Sequence, residues 1–574
     1  MCFICCSIRT TNLQAMFGVL LYLSIAVGSN EEKPEHHETY KKAAVTTEVP
    51  LCSDLGVDIM RLDGNAVDAA VASAICVGII NSFSSGLGGG GFMLIKLPGN
   101  QNEIVTVDFR ETAPYNVNLQ DYKTKKDMSK KGGSAIAVPG EVKGLHYAHS
   151  KYGKLPWKLL LEKNAAIADN FEVSDQLHRR LKKLKKFILR DAGLNEIYTQ
   201  NGDIVQPGTM IQRANYAQTL RKLALNPESF YSGDIAEQIV AAVQSQGGRL
   251  TMQDMQKYEV KTPKPLQSTY KDSIVFTTNL PTAGPLVIEA LNILESFDLK
   301  ELRDIGTEHG IFPEYHLLVE IFKFMSAKRS ELGDPEFVPE AQEVAEELIS
   351  KEHAKKVSET IKFDRTLSME EYGYEIPPTN DHGTTHLNTY DEQGMIVLLT
   401  STINLEFGAK YMDQVTGIVF NNEIDDFYVP FVKNAFDLPE SQANIIKPGK
   451  RPFSSAAPVL LIKSNQIVAL GAAGGTRIPT SIISAVFHLE LGKTLAEAVA
   501  EPRLHHQMIP YVTYVEYNLN HDIVNYLSKI GNEVKESSTN SIFTSVQGMV
   551  IRRDPEMVVE AYSDRRKGGV SAGY

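Results

Sequence analysis

The sequence contains no Asn-x-Ser/Thr triplet, which excludes N-linked glycosylation. It has no His-Glu-x-x-His and no pair of Cys-x-x-Cys motifs, so a zinc hydrolase loses its main support. Gly492-Lys493-Thr494 lacks the upstream glycine of a phosphate loop. An excess of cations is missing too. Lys and Arg total 58 against 70 Asp and Glu, a net charge of −12, whereas a nucleic-acid partner needs clustered cations to neutralise phosphates. The apolar run at 15–28 is too short for a comfortable membrane span. What is present is an ordinary folded composition, 43% hydrophobic and 22% charged, in 574 residues, more than one usual domain's length.

All five cysteines lie in the first 76 residues. Cys2, Cys5 and Cys6 precede the 15–28 run, Arg9 stands upstream of it, and Ala26 and Gly28 are small residues at suitable spacing for signal peptidase. Residues 1–28 are therefore expected to be a cleaved signal peptide and the protein secreted. The alternative is an uncleaved anchor on the extracellular face of the plasma membrane. After cleavage only Cys52 and Cys76 remain, an even pair in an oxidising compartment, and a single disulfide is expected. Two buried thiols are the alternative.

Along the chain, 54–77 reads as one buried helix crowded with Ala66, Ala69, Ala70, Ala72 and Ala74. The glycine run 86–91 precedes a strand at 92–95; a dinucleotide fingerprint needs the reverse order, strand then glycines then helix, so a Rossmann site is rejected. Residues 139–355 read as mostly helical, with Leu317, Ile321, Phe322 and Met325 on one face of 315–332. In the cationic run 179–186, Leu181, Leu184 and Ile188 recur at helical spacing, so its cations are expected on a solvated face. An anion site or a dibasic processing site at Arg179-Arg180 is the weaker reading. The polar stretch 364–380, with Pro377-Pro378, reads as an exposed loop that can be cut without loss of core contacts. Beyond it come strands at 385–390, 395–400, 458–463 and 466–470 and helices at 481–491 and 495–499, a pattern satisfied by two antiparallel sheets covered by helices.

At the end of the cuttable loop stands Gly383-Thr384, entering a strand. A threonine hydroxyl is a weak nucleophile that needs an adjacent base, and a free α-amine on the same residue supplies one. An internal threonine gains that amine only if the chain is cut just before it. Four further clusters offer the rest of a site: Ser401-Thr402-Ile403-Asn404 at a strand end, the acidic turn 421–426, the hydroxyl pair Ser454-Ser455, and the glycine turn 471–475 between a strand and a helix. Each also has a plain structural reading as a turn or a solvated face. The glycine turn is the most suggestive, because its amides can converge near a helix start as an oxyanion cradle.

In this order, the segments TTHL, TSTIN, FNNEIDDF, KPGKRPFSSAAP and GAAGG and the tail Lys567-Gly568-Gly569 resemble the γ-glutamyltransferase family, as do GNAVDAAVA, GLGGGG and Asp108-Phe109-Arg110-Glu111 nearer the start. The resemblance spans about residues 44–574. It implies an α+β fold, the four-layer αββα sandwich of the N-terminal nucleophile hydrolases, built from two subunits of one proenzyme cut between Gly383 and Thr384. The large subunit would be 29–383 and the small one 384–574. Thr384 would be nucleophile and, through its amine, base. Thr385 is passed over because the family's nucleophile stands two places before the histidine, and adjacent strand residues face opposite ways. Arg110, with Ser454 and Ser455, would clamp the α-carboxylate of the γ-glutamyl group. Asn404, Glu423 and Asp426 would hold its ammonium, Thr402 would orient the nucleophile, and Gly474 and Gly475 would supply oxyanion amides. Cys52 and Cys76 match the family's N-terminal disulfide.

The implied reaction is ping-pong transfer of the γ-glutamyl group of glutathione or related compounds to water, an amino acid or a dipeptide, without metal or organic cofactor. Glu406 departs from mammalian relatives, which carry a tyrosine there lying over the nucleophile, and a carboxylate is expected to alter the acceptor side. Three rivals are weighed: a γ-glutamyl hydrolase that transfers poorly, a catalytically silent secreted homologue acting as a binding or toxin-like protein, and an acylase for β-lactam-type side chains.

Overall fold

The computed structural model describes residues 39–99, 103–124, 127–373, 383–428, 441–538, 544–553 and 556–574. The expected leader, 1–28, and the end of the cuttable loop, 374–380, lie outside them. Two antiparallel sheets form the centre. One has six strands in the order Val570–Gly573, Ala44–Thr47, Thr384–Tyr390, Ile396–Thr402, Gly90–Lys96 and Ile104–Asp108. The other has seven, Thr39–Tyr40, Val558–Ser563, Ser545–Arg552, Gln466–Ala473, Val459–Ile462, Ser273–Thr277 and Leu266–Tyr270.

Side-chain alternation sorts each strand between two hydrophobic layers. Leu94, Ile396, Leu398 and Tyr390 join Leu460, Ile467, Ala469, Met549 and Ile551 in a core between the sheets. Their neighbours Met93, Ile95, Val397, Leu399 and Leu387 face outward, into a core shared with helices of the first half of the chain. The seven-stranded sheet buries its other face, including Val275, Val459, Leu461 and Leu470, against helices such as Gly284–Glu295, Pro313–Ala327 and Ile478–Glu490. The layers are thus helix, sheet, sheet, helix, as the resemblance implies.

The same alternation fixes where the site residues point. Counting in twos from the inward Tyr390, His386 and Thr384 lie on the inter-sheet side, and from Leu398 so do Thr400 and Thr402. Thr384 is paired across the strands with Thr402. Thr385 takes the opposite face, as expected.

The expected single helix at 54–77 is two, Pro50–Arg61 and Ala66–Ile80. Asp63 in the left-handed region (φ 72°) turns the chain, and Asn65 caps the second helix in a reciprocal box with Asp68. The disulfide Cys52–Cys76 joins these two helices across 24 residues of chain. Closing a loop of that length contributes about 3 kcal/mol by constraint of the unfolded chain.

The hairpin Leu266–Tyr270/Ser273–Thr277 lies within the stretch expected to be mostly helical. Residues 569–573 spell Gly-x-Ser-x-Gly, but Val570–Gly573 is a strand in which the Ser571 hydroxyl donates to the Ala561 carbonyl at 2.8 Å, so this is no nucleophile elbow.

Candidate active site

A cleft of about 500 Å³ opens at the strand ends between the sheets, and its lining contains Thr384, Thr402, Arg110, Asn404, Glu423, Asp426, Ser454, Ser455 and Gly475. These come from six separated stretches of sequence, and all but one of the candidate catalytic and binding residues are among them. The exception, Gly474, stands one residue behind.

At its centre the Thr384 hydroxyl lies 3.3 Å from that of Thr402. Thr402 donates its single proton to the Gly383 carbonyl at 2.7 Å and accepts from the Asn404 amide at 2.9 Å. With that proton committed, the hydrogen bond between the hydroxyls runs from Thr384 to Thr402. Asn404 adopts a left-handed conformation (φ 69°) and donates its side-chain amide to the Asn422 carbonyl at 3.0 Å. Asn422 returns the tie by accepting from the Leu405 amide at 3.0 Å, so the TSTIN strand end and the acidic turn hold one another. Gly89 lets the glycine run pass close behind Thr402: a Cβ there would meet the Thr402 carbonyl oxygen at 2.1 Å.

His386, two residues on from Thr384, is not its base. The ring is buried between Thr400 (2.8 Å) and Asn388 (2.9 Å), and burial lowers its pKa to about 4, so it stays neutral. It packs against Gly471 of the facing sheet, where any Cβ would come within 2.1 Å of the imidazole.

Arg110 is 1% exposed and is ion-paired with Glu423 and Asp426, with Glu111 at 3.7 Å. Its Nε donates to the Pro452 carbonyl at 3.3 Å, which ties it to the KPGKRPFSS segment. Burial alone would lower the guanidinium pKa, and the carboxylates of Glu423, Asp426 and Glu111 more than reverse this. The acidic turn does not face solvent: Glu423 and Asp425 are buried, and Asp425 accepts from the Ser129 hydroxyl at 2.5 Å. Lys450 anchors the neighbouring segment by donating to the Ala443 and Ile445 carbonyls at 2.6 and 3.1 Å, and burial lowers its pKa to about 8.

One guanidinium among three carboxylates leaves an excess of negative charge where Arg110, Glu111 and Glu423 are buried. Burial raises the Glu111 pKa from 4.5 to about 7, against the pull of Arg110. Between those two values the folded protein keeps a proton that the unfolded chain releases. The resulting stability is fully present below about pH 4.5 and lost as pH rises through about 7. Glu111→Gln is expected to remove this dependence. Melting curves across that interval should be flatter for the variant by an amount on the order of a few kcal/mol, and a slope identical to wild type would contradict the assignment.

The glycine turn enters helix Ile478–Glu490 through a tight turn in which the Arg477 amide donates to the Gly474 carbonyl at 3.2 Å. Gly474 and Gly475 have φ of 145° and 58°, and a Cβ on Gly474 would meet the Thr544 hydroxyl at 2.9 Å. Helix starts leave amides without intrahelical partners, which suits this turn to an anion. Among the described residues no group of three or more His, Cys, Asp and Glu is disposed to hold a metal ion.

Glu406 does not bear on the cleft as an unbalanced charge. Its carboxylate is 2.7 Å from Lys183 Nζ and 3.6 Å from Arg180 Nε, and it is not among the lining residues. Arg180 correspondingly departs from the expected solvated face: it is buried, with its guanidinium 5.1 Å from the centre of the Phe83 ring. Burial also leaves the Arg179-Arg180 bond poorly placed for a processing protease.

In the sequence Lys567 stands out only within the tail motif Lys567-Gly568-Gly569, and Glu48 carries no motif at all. In the structure Lys567 Nζ donates to the Thr384 carbonyl at 2.9 Å and to Glu48 at 2.8 Å. The cationic run Arg565-Arg566-Lys567 before paired glycines is the available signal, but nothing in the sequence places Lys567 beside Thr384.

A family profile described as Gamma-glutamyltranspeptidase matches residues 52–574. The chain is 38% identical to glutathione hydrolase proenzyme 2 of Schizosaccharomyces pombe, covering 97% of this chain and 92% of that one. It is 34% identical to glutathione hydrolase 2 of Arabidopsis thaliana, covering 99% of each. Among solved structures, a cephalosporin acylase from Bacillus halodurans superposes with a TM-score of 0.80 at 23% identity over 96% of this chain and 98% of that one, a likeness of fold alone. The sandwich is that of the N-terminal nucleophile hydrolases, and the chain belongs to the gamma-glutamyltranspeptidase family of enzymes.

Proposed function

We propose that the chain cuts itself between Gly383 and Thr384 and then, as a large subunit of residues 29–383 and a small one of 384–574, carries the γ-glutamyl group of glutathione and related compounds on Thr384. The observation that carries this reading is the contact of Thr384, Thr402 and the Gly383 carbonyl in the same cleft as Arg110 and its carboxylates.

In the first step the Thr384 oxygen attacks the Gly383 carbonyl carbon. The Gly383 oxygen takes up negative charge, and the Thr402 hydroxyl already donates to it. The C–N bond breaks, the nitrogen takes the proton given up by the hydroxyl, and Gly383 is left as an ester on Thr384. Water cleaves that ester, releasing the Gly383 carboxylate and restoring the Thr384 hydroxyl beside the amine already freed.

In turnover the Thr384 amine takes the hydroxyl proton as the oxygen attacks the γ-carbonyl of the donor. The Gly474 and Gly475 amides receive the oxyanion, and the leaving amine, cysteinylglycine when the donor is glutathione, departs with a proton. Water, an amino acid or a dipeptide then resolves the ester. A zwitterionic γ-glutamyl group exchanges partners with the existing pairs: its α-carboxylate takes the Arg110 fork together with Ser454 and Ser455, while its ammonium takes Glu423, Asp426 and Asn404. Acyl transfer through a hydroxyl and an amine calls for no metal or organic cofactor. The composition of residues 1–28 supports secretion of the two-chain enzyme.

N-terminal sequencing of the mature chains tests the cut, with Thr384 expected as the first residue of the small subunit. Mass spectrometry of enzyme quenched during turnover of a γ-glutamyl donor should place the added group on the Thr384 peptide. An uncut chain that hydrolyses glutathione at full rate would overturn the reading.

A further inference from the structure

Lys567 is buried against the residue expected to carry the reaction, yet neither step above uses it. Its ammonium donates to the Thr384 carbonyl at 2.9 Å and to Glu48 Oε1 at 2.8 Å, and the Ser545 hydroxyl donates to the same Glu48 oxygen at 2.8 Å. Glu48 and Ser545 are fully buried and Lys567 is 7% exposed. Glu48 directly follows strand Ala44–Thr47, and Lys567 precedes strand Val570–Gly573. The pair is therefore fixed by two strands on one side of Thr384–Tyr390, opposite the side of Thr402.

We infer that Lys567, oriented by Glu48, is a positioning residue that keeps the freed Thr384 amine unprotonated and so sets the acidic limit of activity. The inference rests on the self-cut Thr384 proposed above. The carbonyl held by Lys567 belongs to the same residue as that amine, and its carbon is two bonds from the nitrogen. A fixed positive charge so close disfavours a second one on the nitrogen, and burial strengthens the effect. A free α-amine ordinarily titrates near 8, so a base working at neutral pH needs such a push. The lysine also fixes the main chain of Thr384 after the cut, when the bond to Gly383 no longer holds it.

The other charges facing this region have partners that leave Lys567 the nearest cation to the main chain of Thr384 on this side. Arg180 is on Glu406 and also faces Glu48. Arg566, next to Lys567, is on Glu516 and Asp564. Arg110 is on Glu423 and Asp426 across the cleft, where Arg329 lies over the Phe453 ring. Lys183 is on Glu406. His386, on the same strand, is neutral.

The test is the pH dependence of kcat/KM for hydrolysis of a chromogenic γ-glutamyl anilide without acceptor, whose acidic limb reports the base of the free enzyme. Lys567→Met removes the cation and leaves Glu48, which favours an ammonium, so the limb is expected to move to higher pH by about one unit. Glu48→Gln leaves the cation unopposed and should move it the other way. Lys567→Arg should restore the wild-type limb. A purely structural role would lower the rate at all pH values and leave the limb in place. Unmoved limbs in cut, active Lys567→Met and Glu48→Gln proteins overturn the inference. If Lys567→Met does not fold, the direction of the Glu48→Gln shift decides: no shift, or a shift to higher pH, overturns it. An uncut wild-type chain would instead fail the reading it rests on, which the N-terminal sequence reveals independently.

Discussion

Thr384→Ala is expected to yield a single uncut chain in place of two and to lower γ-glutamyl turnover by on the order of 10⁴-fold or more. Both losses follow from one oxygen. Alanine keeps the strand, because Thr384 is buried and its main chain is held by Thr402 through the register and by Lys567 through the carbonyl. The variant should therefore fold like the wild type, with an unchanged circular dichroism spectrum, while lacking the group that attacks Gly383 and later the donor. Thr384→Ser separates the two roles of the side chain. It retains the oxygen and loses only the methyl group, so it should still be cut, more slowly. Two chains and full turnover in the alanine variant would remove Thr384 from the mechanism.

The second large effect is expected at Arg110. Arg110→Gln leaves Glu423, Asp426 and Glu111 without their guanidinium in a site where Arg110, Glu423 and Glu111 are essentially fully buried. Removing one partner of a buried pair costs about 3–5 kcal/mol, because the remaining charge has neither water nor counter-ion. The carboxylates then respond by taking up protons, so the deficit in melting temperature should narrow as pH falls from about 8 to about 5. The effect on activity should be separate, with KM for a γ-glutamyl donor raised on the order of 100-fold or more as the carboxylate fork is lost. Arg110→Lys restores the charge without the fork and should recover much of the stability but little of the affinity. A variant with normal KM would show that the α-carboxylate binds elsewhere.

How much of this could be read beforehand depended on whether a feature was local. The Thr384–Tyr390 strand and its partner, short β-branched and apolar runs, and the helix after the glycine turn fall within a few residues of their expected bounds. The helices Pro50–Arg61 and Ala66–Ile80 read as one because apolar residues flank Asp63-Gly64-Asn65 closely on both sides, although that triplet carries turn and cap chemistry. The Leu266–Thr277 hairpin turns at Lys271 with φ 51°, a residue that seldom marks a turn.

In the site, motif order brought Arg110, Glu423 and Thr384 to attention but could not say that Arg110 and the two acids pair with each other. Nor could it find the partners of Glu406. Arg180 and Lys183 lie more than two hundred positions earlier in the chain, and only the folded arrangement places them against it.

The ordering of the sheets carries one more consequence. Strand Thr384–Tyr390 is hydrogen-bonded to Ala44–Thr47 on one side and Ile396–Thr402 on the other, and the last strand, Val570–Gly573, lies outside Ala44–Thr47. The seven-stranded sheet likewise takes Thr39–Tyr40 at one edge and Ser273–Thr277 with Leu266–Tyr270 at the other from before Gly383, and its four middle strands from after it. A cut at Gly383 therefore divides a woven fabric, not two bodies in contact. The two proposed pieces would part only by unraveling both ladders, so dilution is expected to leave them together. Once unraveled, they would have to find each other by diffusion to re-form an order that a single thread first laid down.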